Sequence, residues 1–174
     1  AHFVEHMAFN GTARFPKQAI IDYLEKIGME FGPDVNAYTS FDETVYQLQV
    51  PTDDPAFVGT GLDVLREWAG NITFDDVEVG KERGVVLEEW RLGRGGDERV
   101  FTKQAPILFG GTRYAVRLPI GQPEIIKGAP RDALTRFNRD WYRPDLMAVI
   151  VVGDVDPAAI TAAITARFGD LKNP

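Results

Sequence analysis

Apolar and polar residues along this chain follow two different periods, and these periods predict its elements. Spacings of three and four residues predict helices, whereas short alternating or β-branched runs predict strands. The predicted helices cover residues 17–27, 53–70, 73–94, 100–109, 130–141 and 156–168, and the predicted strands cover 35–40, 44–50 and 146–152. Helices and strands mix without a strict βαβ rhythm, so the pattern predicts an α+β fold with helices packed on one face of a sheet.

Particular residues set the expected limits of these elements. Thr73 is the expected N-cap of the helix that continues through Glu89 toward Arg94. The run from Leu146 to Val152 is apolar and largely β-branched, which predicts a buried strand. Residues 110–122 are rich in glycine and are expected to form a loop.

Composition describes an ordinary globular chain. Hydrophobic residues make up 44% and charged residues 26% of 174 residues, enough for one core. The net charge of −7, without any Lys/Arg cluster, argues against a nucleic-acid surface. No apolar run reaches the length that spans a membrane. The chain has no cysteine, so disulfides do not stabilise it.

The two histidines are the most informative residues of the chain. His2 and His6 are its only histidines, and they stand four residues apart with Glu5 directly before the second. On a helix, residues i and i+4 share a face, so both imidazoles can reach one metal ion. This H-x-x-E-H order is the reverse of the common H-E-x-x-H metalloprotease motif. The alternative is a helix with two solvated histidines.

A catalytic zinc site usually takes three protein ligands and leaves a fourth position to water. Because no cysteine or third histidine exists, the third ligand must be a carboxylate. Glu82 and Glu89 are the candidates, since they stand seven residues apart on one face of a predicted acidic helix. Glu88 faces elsewhere on that helix. Taken alone, such an acidic run is more often a solvated helix face than a source of metal ligands.

Three segments resemble successive landmarks of the pitrilysin/insulinase/mitochondrial processing peptidase family (M16, the inverzincins). They are residues 2–12, which contain H-F-V-E-H, residues 36–40, which read N-A-Y-T-S, and residues 82–89, which form an E-x(6)-E pair. Their order and spacing are compatible with the family, and the resemblance extends over essentially the whole chain. It implies a metalloprotease half-domain with a mixed, mostly antiparallel sheet.

The resemblance also implies a role for each motif residue. It implies that Zn²⁺ is bound by His2, His6 and Glu89 and that Glu5 is the general base. It also implies that Glu82 supports the site without binding the ion itself. Glu82 as the direct ligand is the alternative. It further implies that Asn36, Ala37 and Tyr38 bind an extended peptide as an added strand, although an ordinary hairpin is the alternative reading of that segment.

The chain start and the family together lead to an expectation about what lies outside the chain. The first proposed ligand is already residue 2, so residues 1–174 are expected to be one zinc-binding half-domain without the N-terminal strands of the family. Family members pair this half with a second homologous half, either on the same polypeptide or in another subunit. The expected substrate is a peptide or small protein. Segments such as residues 88–94 resemble the longer bacterial members of the family. The expected compartment is therefore the bacterial periplasm or cytoplasm.

Three functions remain open from the sequence. The first is a zinc endopeptidase half, which the complete H-x-x-E-H constellation favours. The second is a non-catalytic scaffold or partner subunit of the same family, because fold alone does not determine activity. The third is a zinc hydrolase that acts on something other than peptides, against which the peptide-binding segment argues.

Overall fold

A computed structural model describes residues 1–174, with eight α-helices and one β-hairpin. The elements are α1 (His2–Ala8), α2 (Ala19–Lys26), β1 (Val35–Thr39), β2 (Thr44–Leu48), α3 (Pro55–Gly70), α4 (Asp76–Leu92), α5 (Gly96–Leu108), α6 (Pro123–Gly128), α7 (Arg131–Trp141) and α8 (Pro157–Phe168), with single 3₁₀ turns at Arg113–Val116 and Pro144–Leu146. The predicted α+β class is confirmed. None of the helices is both long enough and apolar enough to cross a membrane.

The short helix α1 lies at the centre of the core and packs against α4, β1 and α7. Four of its seven residues are buried apolar side chains, namely Phe3, Val4, Met7 and Ala8. No side chain caps its N-terminus. A helix of two turns is marginal by itself, so burial of this apolar surface holds it in place.

Trp68 of α3 fixes the C-terminal end of α1. Its side chain is 1% exposed, and its indole N–H donates to the carbonyl oxygen of Ala8 at 3.0 Å. The indole also lies 5.0 Å from the Phe9 ring and 5.2 Å from the Tyr46 ring, measured between ring centroids. These contacts join the first helix, the hairpin and α3 in one cluster.

Aspartates begin three of the helices. Asp54 accepts a hydrogen bond from the backbone N–H of Ala56 at the start of α3, and Asp156 accepts one from Ala159 at the start of α8. The prediction of Thr73 as N-cap of α4 is wrong, because Asp75 caps it by accepting from two backbone N–H groups. Phe74 between them has a φ of 51°, which no right-handed helix contains, so the helix begins after it.

The hairpin is antiparallel, and no further strand pairs with the outer edge of either β1 or β2. Its register runs from Val35 opposite Leu48 to Thr39 opposite Thr44. Backbone bonds from Ser40 to Glu43 and from Gln49 to Asp34 flank this ladder. Antiparallel bonding alternates along a strand, so the even-numbered residues of β1 bond to β2. The backbone groups of Ala37 and Thr39 therefore point away from β2, toward the outer edge of β1, which is called the free edge below.

The predicted buried strand at residues 146–152 is wrong. A 3₁₀ turn ends at Leu146, and residues 147–152 belong to no helix or strand. Ile150 is 81% and Val152 is 92% exposed. A strand needs a neighbour for its backbone groups, and β1 pairs only with β2 in this structure. A β-branched composition alone does not produce a strand where no neighbouring strand is present.

Helical structure also occurs beyond the predicted limits. Helix α5 begins at Gly96 and not at residue 100. Helix α6 was not predicted, although Pro123 at its first position is a typical start signal. Two guanidinium nitrogens of Arg83 donate to the carbonyl oxygens of Ile126 and Ala129, which joins α4 to the end of α6.

We expect Trp68→Phe to lower the free energy of unfolding by about 2 kcal/mol, because it leaves the Ala8 carbonyl without its donor and opens space in the core. The matched control is Trp141→Phe, since Trp141 is 59% exposed and should tolerate the change within about 0.5 kcal/mol. Urea unfolding followed by circular dichroism measures both variants. Equal stability of the two would show that the Trp68 contact does not anchor α1.

Candidate metal centre

Packing of α1 against α4 brings two histidines and two glutamates together. On α4, Val79, Glu82, Val86 and Glu89 follow one another at spacings of three, four and three residues and so share one face. Val79 and Val86 are 2% and 0% exposed in the core. The two valines thus turn the two glutamates toward α1. Glu88 lies on another face, where it pairs with Arg91 at 2.5 Å.

The side chains of His2, His6 and Glu89 converge on one point. The two Nε2 atoms lie 3.2 Å apart. Oxygens of Glu89 lie 3.4 Å from Nε2 of His2 and 3.2 Å from Nε2 of His6. Ligands of a tetrahedral zinc ion at bond lengths of about 2.0–2.1 Å are separated by about 3.4 Å. The donor set and its spacing therefore fit a zinc ion.

Glu82 occupies the opposite side of the His6 ring. Its Oε1 lies 2.6 Å from Nδ1 of His6, and its Oε2 accepts from the amide of Asn10 at 2.8 Å. Both Glu82 oxygens are thus engaged away from the His2–His6–Glu89 point. Since an ionised carboxylate only accepts, Nδ1 of His6 carries the hydrogen and Nε2 presents its lone pair in the neutral ring.

Asn10 was not among the predicted site residues. Its amide donates to the His6 carbonyl oxygen at 3.0 Å as well as to Glu82. It stands four residues after His6, on the face that continues from His2 through His6, so helical spacing could have identified it.

Glu5 points away from Glu82 and toward the hairpin. Its side chain is nearly buried, and Oε2 accepts a hydrogen bond from the Thr39 hydroxyl at 2.5 Å. Burial raises the pKa of Glu5, and the Thr39 hydroxyl opposes that shift. Thr39 is the second residue that the sequence reasoning missed, although it lies directly after the predicted substrate segment.

A half-buried tyrosine pair joins β2 of the hairpin to the end of α7. The hydroxyls of Tyr46 and Tyr142 are 2.7 Å apart. Burial raises the pKa of Tyr142 to about 12, and it raises the pKa of Tyr46 as well. Both hydroxyls therefore stay neutral, and they present no charge that would compete with the carboxylate of Glu5.

The two histidines respond oppositely to their surroundings. Burial lowers the pKa of His2. Burial acts in the same direction on His6, but the hydrogen bond and charge of Glu82, with smaller contributions from Glu89 and Glu5, raise its pKa overall. Nδ1 of His2 is buried without a hydrogen-bond partner. Of the two imidazoles, His6 is therefore the one that is protonated more readily.

Residues Asn36, Ala37 and Tyr38 lie on β1, beside the centre but not in it. The backbone N–H of Ala37 faces the free edge, where the Oδ1 atom of Asn36 accepts from it at 2.8 Å. Tyr38 is 44% exposed, and its hydroxyl donates to Glu43 at 3.0 Å. The edge is therefore accessible along Ala37, and Thr39 connects the same strand to Glu5.

Comparison with protein families gives two matches along the chain. Residues 1–94 match the family described as insulinase (peptidase family M16). Residues 129–174 match the family described as peptidase M16 inactive domain. The first match contains all the residues of the metal centre, and the second covers α7 and α8.

Individual relatives and solved structures agree with these matches. The probable zinc protease PqqL of Haemophilus influenzae is 46% identical over 174 residues, which are 100% of this chain and 19% of that protein. The first half of the periplasmic protease PqqL from Escherichia coli has a TM-score of 0.95 at 40% identity, over 100% of this chain and 37% of that chain. The ferredoxin protease FusC, solved with Arabidopsis ferredoxin, has a TM-score of 0.91 at 31% identity, over 99% of this chain and 19% of that chain. This chain thus spans about a fifth of the length of its curated relatives.

We expect His6 to titrate above about pH 6.5 and His2 below it in the chelator-treated protein. Because the folded state raises the pKa of His6, this group stabilises the fold below about pH 6.5, and the contribution is lost as the pH rises through its folded pKa. Nitrogen-detected NMR titration measures both rings separately. Glu82→Gln should lower the pKa of His6, whereas the control Glu88→Gln should leave it unchanged. An unaltered His6 titration in Glu82→Gln would contradict the assigned cause.

Proposed function

The chain belongs to the insulinase family of peptidases, family M16, and we propose that it is the zinc-binding half of a zinc endopeptidase. The family is one of zinc proteases, and the PqqL relatives carry that name. The observation that carries the proposal is the convergence of Nε2 of His2, Nε2 of His6 and the Glu89 carboxylate at distances suited to one zinc ion.

His2, His6 and Glu89 would hold the ion, and Glu82 would hold His6. The bond from Glu82 fixes the His6 tautomer with its lone pair on Nε2, as carboxylates behind metal-binding histidines commonly do. Glu82 as direct ligand is disfavoured because both of its oxygens are already engaged by His6 and Asn10. A bound zinc ion supplies a Lewis acid that lowers the pKa of water to about 7 and polarises a carbonyl.

Glu5 would act as the general base. It precedes His6 directly, and burial raises its pKa toward the range in which a carboxylate exchanges protons efficiently near neutral pH. Its Oε2 is held by Thr39, whereas Oε1 has no hydrogen-bond partner in the protein. Oε1 is therefore the atom that would take a proton from the attacking water and return it to the leaving amine.

The open edge of β1 supports an extended peptide as the substrate. Ala37 presents its backbone N–H there, with only the Asn36 side chain covering it. A peptide added along this edge would gain backbone hydrogen bonds that do not depend on its sequence. The ferredoxin protease FusC was solved with a small protein, which supports small proteins as well as peptides as the substrate class.

A second homologous half would complete the enzyme. This chain covers 37% of a structure that is itself called the first half of PqqL, which supports further chain in the same protein. That relative is a periplasmic protease, so the periplasm is favoured over the cytoplasm for this chain. The boundary of the half-domain stays a prediction, since the inactive-domain family matches only residues 129–174.

The non-catalytic alternative is disfavoured by the completeness of the centre. The five residues that the proposed mechanism uses, His2, Glu5, His6, Glu82 and Glu89, are all present, which supports a catalytic half. The match to an inactive domain lies outside residues 1–94 and contains none of them.

We expect Glu5→Gln in the full-length protein to keep one zinc per chain and to lose about 10²- to 10⁴-fold in kcat, because the amide cannot accept the proton. Cleavage of a quenched fluorescent peptide measures kcat, and elemental analysis measures zinc. Glu25→Gln, an exposed change on α2, is the control with unaltered activity. Normal turnover of Glu5→Gln would remove Glu5 as the base and with it this mechanism.

The ligand assignment has its own matched pair on α4. We expect Glu89→Gln to weaken zinc binding by at least about 10-fold, since even residues behind the ligands contribute that much. Glu88→Gln, one residue earlier and paired with Arg91, should bind zinc normally. Competition with a chromogenic chelator measures both affinities. Equal affinities would transfer the third-ligand role to Glu82.

A further inference from the structure

We propose that Thr39 is a positioning residue that aims the carboxylate of Glu5 and ties it to the strand that receives the substrate. The inference rests on the proposed peptidase function, because it assigns a task to a neighbour of the proposed base. Thr39 donates the only hydrogen bond that the Glu5 side chain receives in the structure, at 2.5 Å to Oε2.

A second hydroxyl lies beside this bond. Thr44 lies opposite Thr39 in the hairpin register, and the two Oγ1 atoms are 3.1 Å apart. A threonine hydroxyl has one hydrogen to donate. Because Thr39 uses its hydrogen on an ionised Glu5, Thr39 can only accept in its contact with Thr44. A hydrogen bond donated by Thr44 would then strengthen the bond from Thr39 to Glu5.

The hairpin register explains why these side chains meet. Residues 36 and 38 exchange backbone bonds with β2, so Thr39 and Thr44 form a pair without backbone bonds between them. Opposite residues of this kind have closer side chains, with Cα atoms about 4.5 Å apart. A slip of the register by one residue would turn Thr39 outward and release Glu5.

Thr39 also occupies the substrate strand. Its backbone faces the same free edge as that of Ala37, two residues earlier, while its side chain turns inward to Glu5. Any shift of β1 along its axis therefore moves the group that holds the base. A peptide seated on this edge and the carboxylate that serves it would keep a fixed separation, as near-attack geometry requires.

The distances leave Oε1 of Glu5 free. Thr39 engages Oε2 alone, and no other side chain or backbone group donates to the carboxylate of Glu5. Without the Thr39 hydroxyl, the nearly buried carboxylate would have no hydrogen bond to the protein and could rotate about its terminal torsion, which is broad and only roughly two-fold. The loss would therefore fall on the orientation of the base and not on the binding of zinc or peptide.

The test compares Thr39→Val with Thr39→Ser in the full-length protein. Valine keeps the shape and the strand preference of threonine but removes the hydroxyl, and serine keeps the hydroxyl but removes the methyl group. We expect Thr39→Val to lose about 10- to 100-fold in kcat with KM within about 2-fold, which is the size of a hydrogen bond to a charged group. We expect Thr39→Ser to restore kcat to within about 3-fold of the parent. Zinc content and thermal unfolding should be unchanged in both variants.

Three results would overturn the inference. These are an unaltered kcat in Thr39→Val, an equal loss in Thr39→Val and Thr39→Ser, and a loss expressed in KM alone, which would indicate a role in the strand only. Glu5→Gln measured alongside distinguishes a failure of the Thr39 inference from a failure of the proposed function. If Glu5→Gln is inactive while Thr39→Val is normal, the inference fails and the proposed function stands. If Glu5→Gln itself is active, the proposed function fails first.

Discussion

Contact between α1 and α4 is the constraint on which the centre depends. The two helices are far apart in sequence, and α1 carries His2 and His6 whereas α4 carries Glu82 and Glu89. Apolar residues set their separation, with Val4 and Met7 on one helix and Val79 and Val86 on the other all within 2% exposure. The His6–Glu82 bond of 2.6 Å then joins the helices through polar groups in a part-buried setting. A buried carboxylate stabilises such a contact only when its oxygens are hydrogen-bonded, and Asn10 donates to the second oxygen of Glu82.

Much of the centre could be predicted from the sequence because helical spacing is local. The four-residue step from His2 to His6 and the seven-residue step from Glu82 to Glu89 each define a face without any knowledge of the fold. What spacing could not decide was which glutamate faces Nε2 and which faces Nδ1, since both lie on the same stripe of α4. That choice depends on the axial offset between α1 and α4, a tertiary quantity, and before the structure it came from family resemblance.

The fold was less predictable where an element depends on a partner. Residues 146–152 have the composition of a buried strand, yet they form no strand, and Ile150 and Val152 are exposed, because no strand lies beside them. Helix α4 begins after Phe74 and not at Thr73, because a positive φ at a buried aromatic residue interrupts the helical backbone. Thr39 was overlooked for a related reason. Its contact with Glu5 depends on the pairing of β1 with β2 and on the packing of α1 against β1. Neither can be predicted from the local sequence.

The charges of the centre argue for a cation independently of the distances. Three carboxylates, Glu5, Glu82 and Glu89, lie around two imidazoles, and after burial the charge of Glu89 is a further cause that raises the pKa of Glu5. The hydrogen bond and charge of Glu82, followed by the charges of Glu89 and Glu5, raise the pKa of His6, since a proton there offsets part of this negative charge. A divalent ion between Nε2 of His2, Nε2 of His6 and Glu89 would offset more, and it would have to displace that proton to bind. Metal binding and protonation therefore compete at one nitrogen, so the affinity for zinc must fall as the solution becomes acidic. Zinc binding also requires the His6 tautomer that Glu82 stabilises, because only a ring with its hydrogen on Nδ1 can offer Nε2 to the ion.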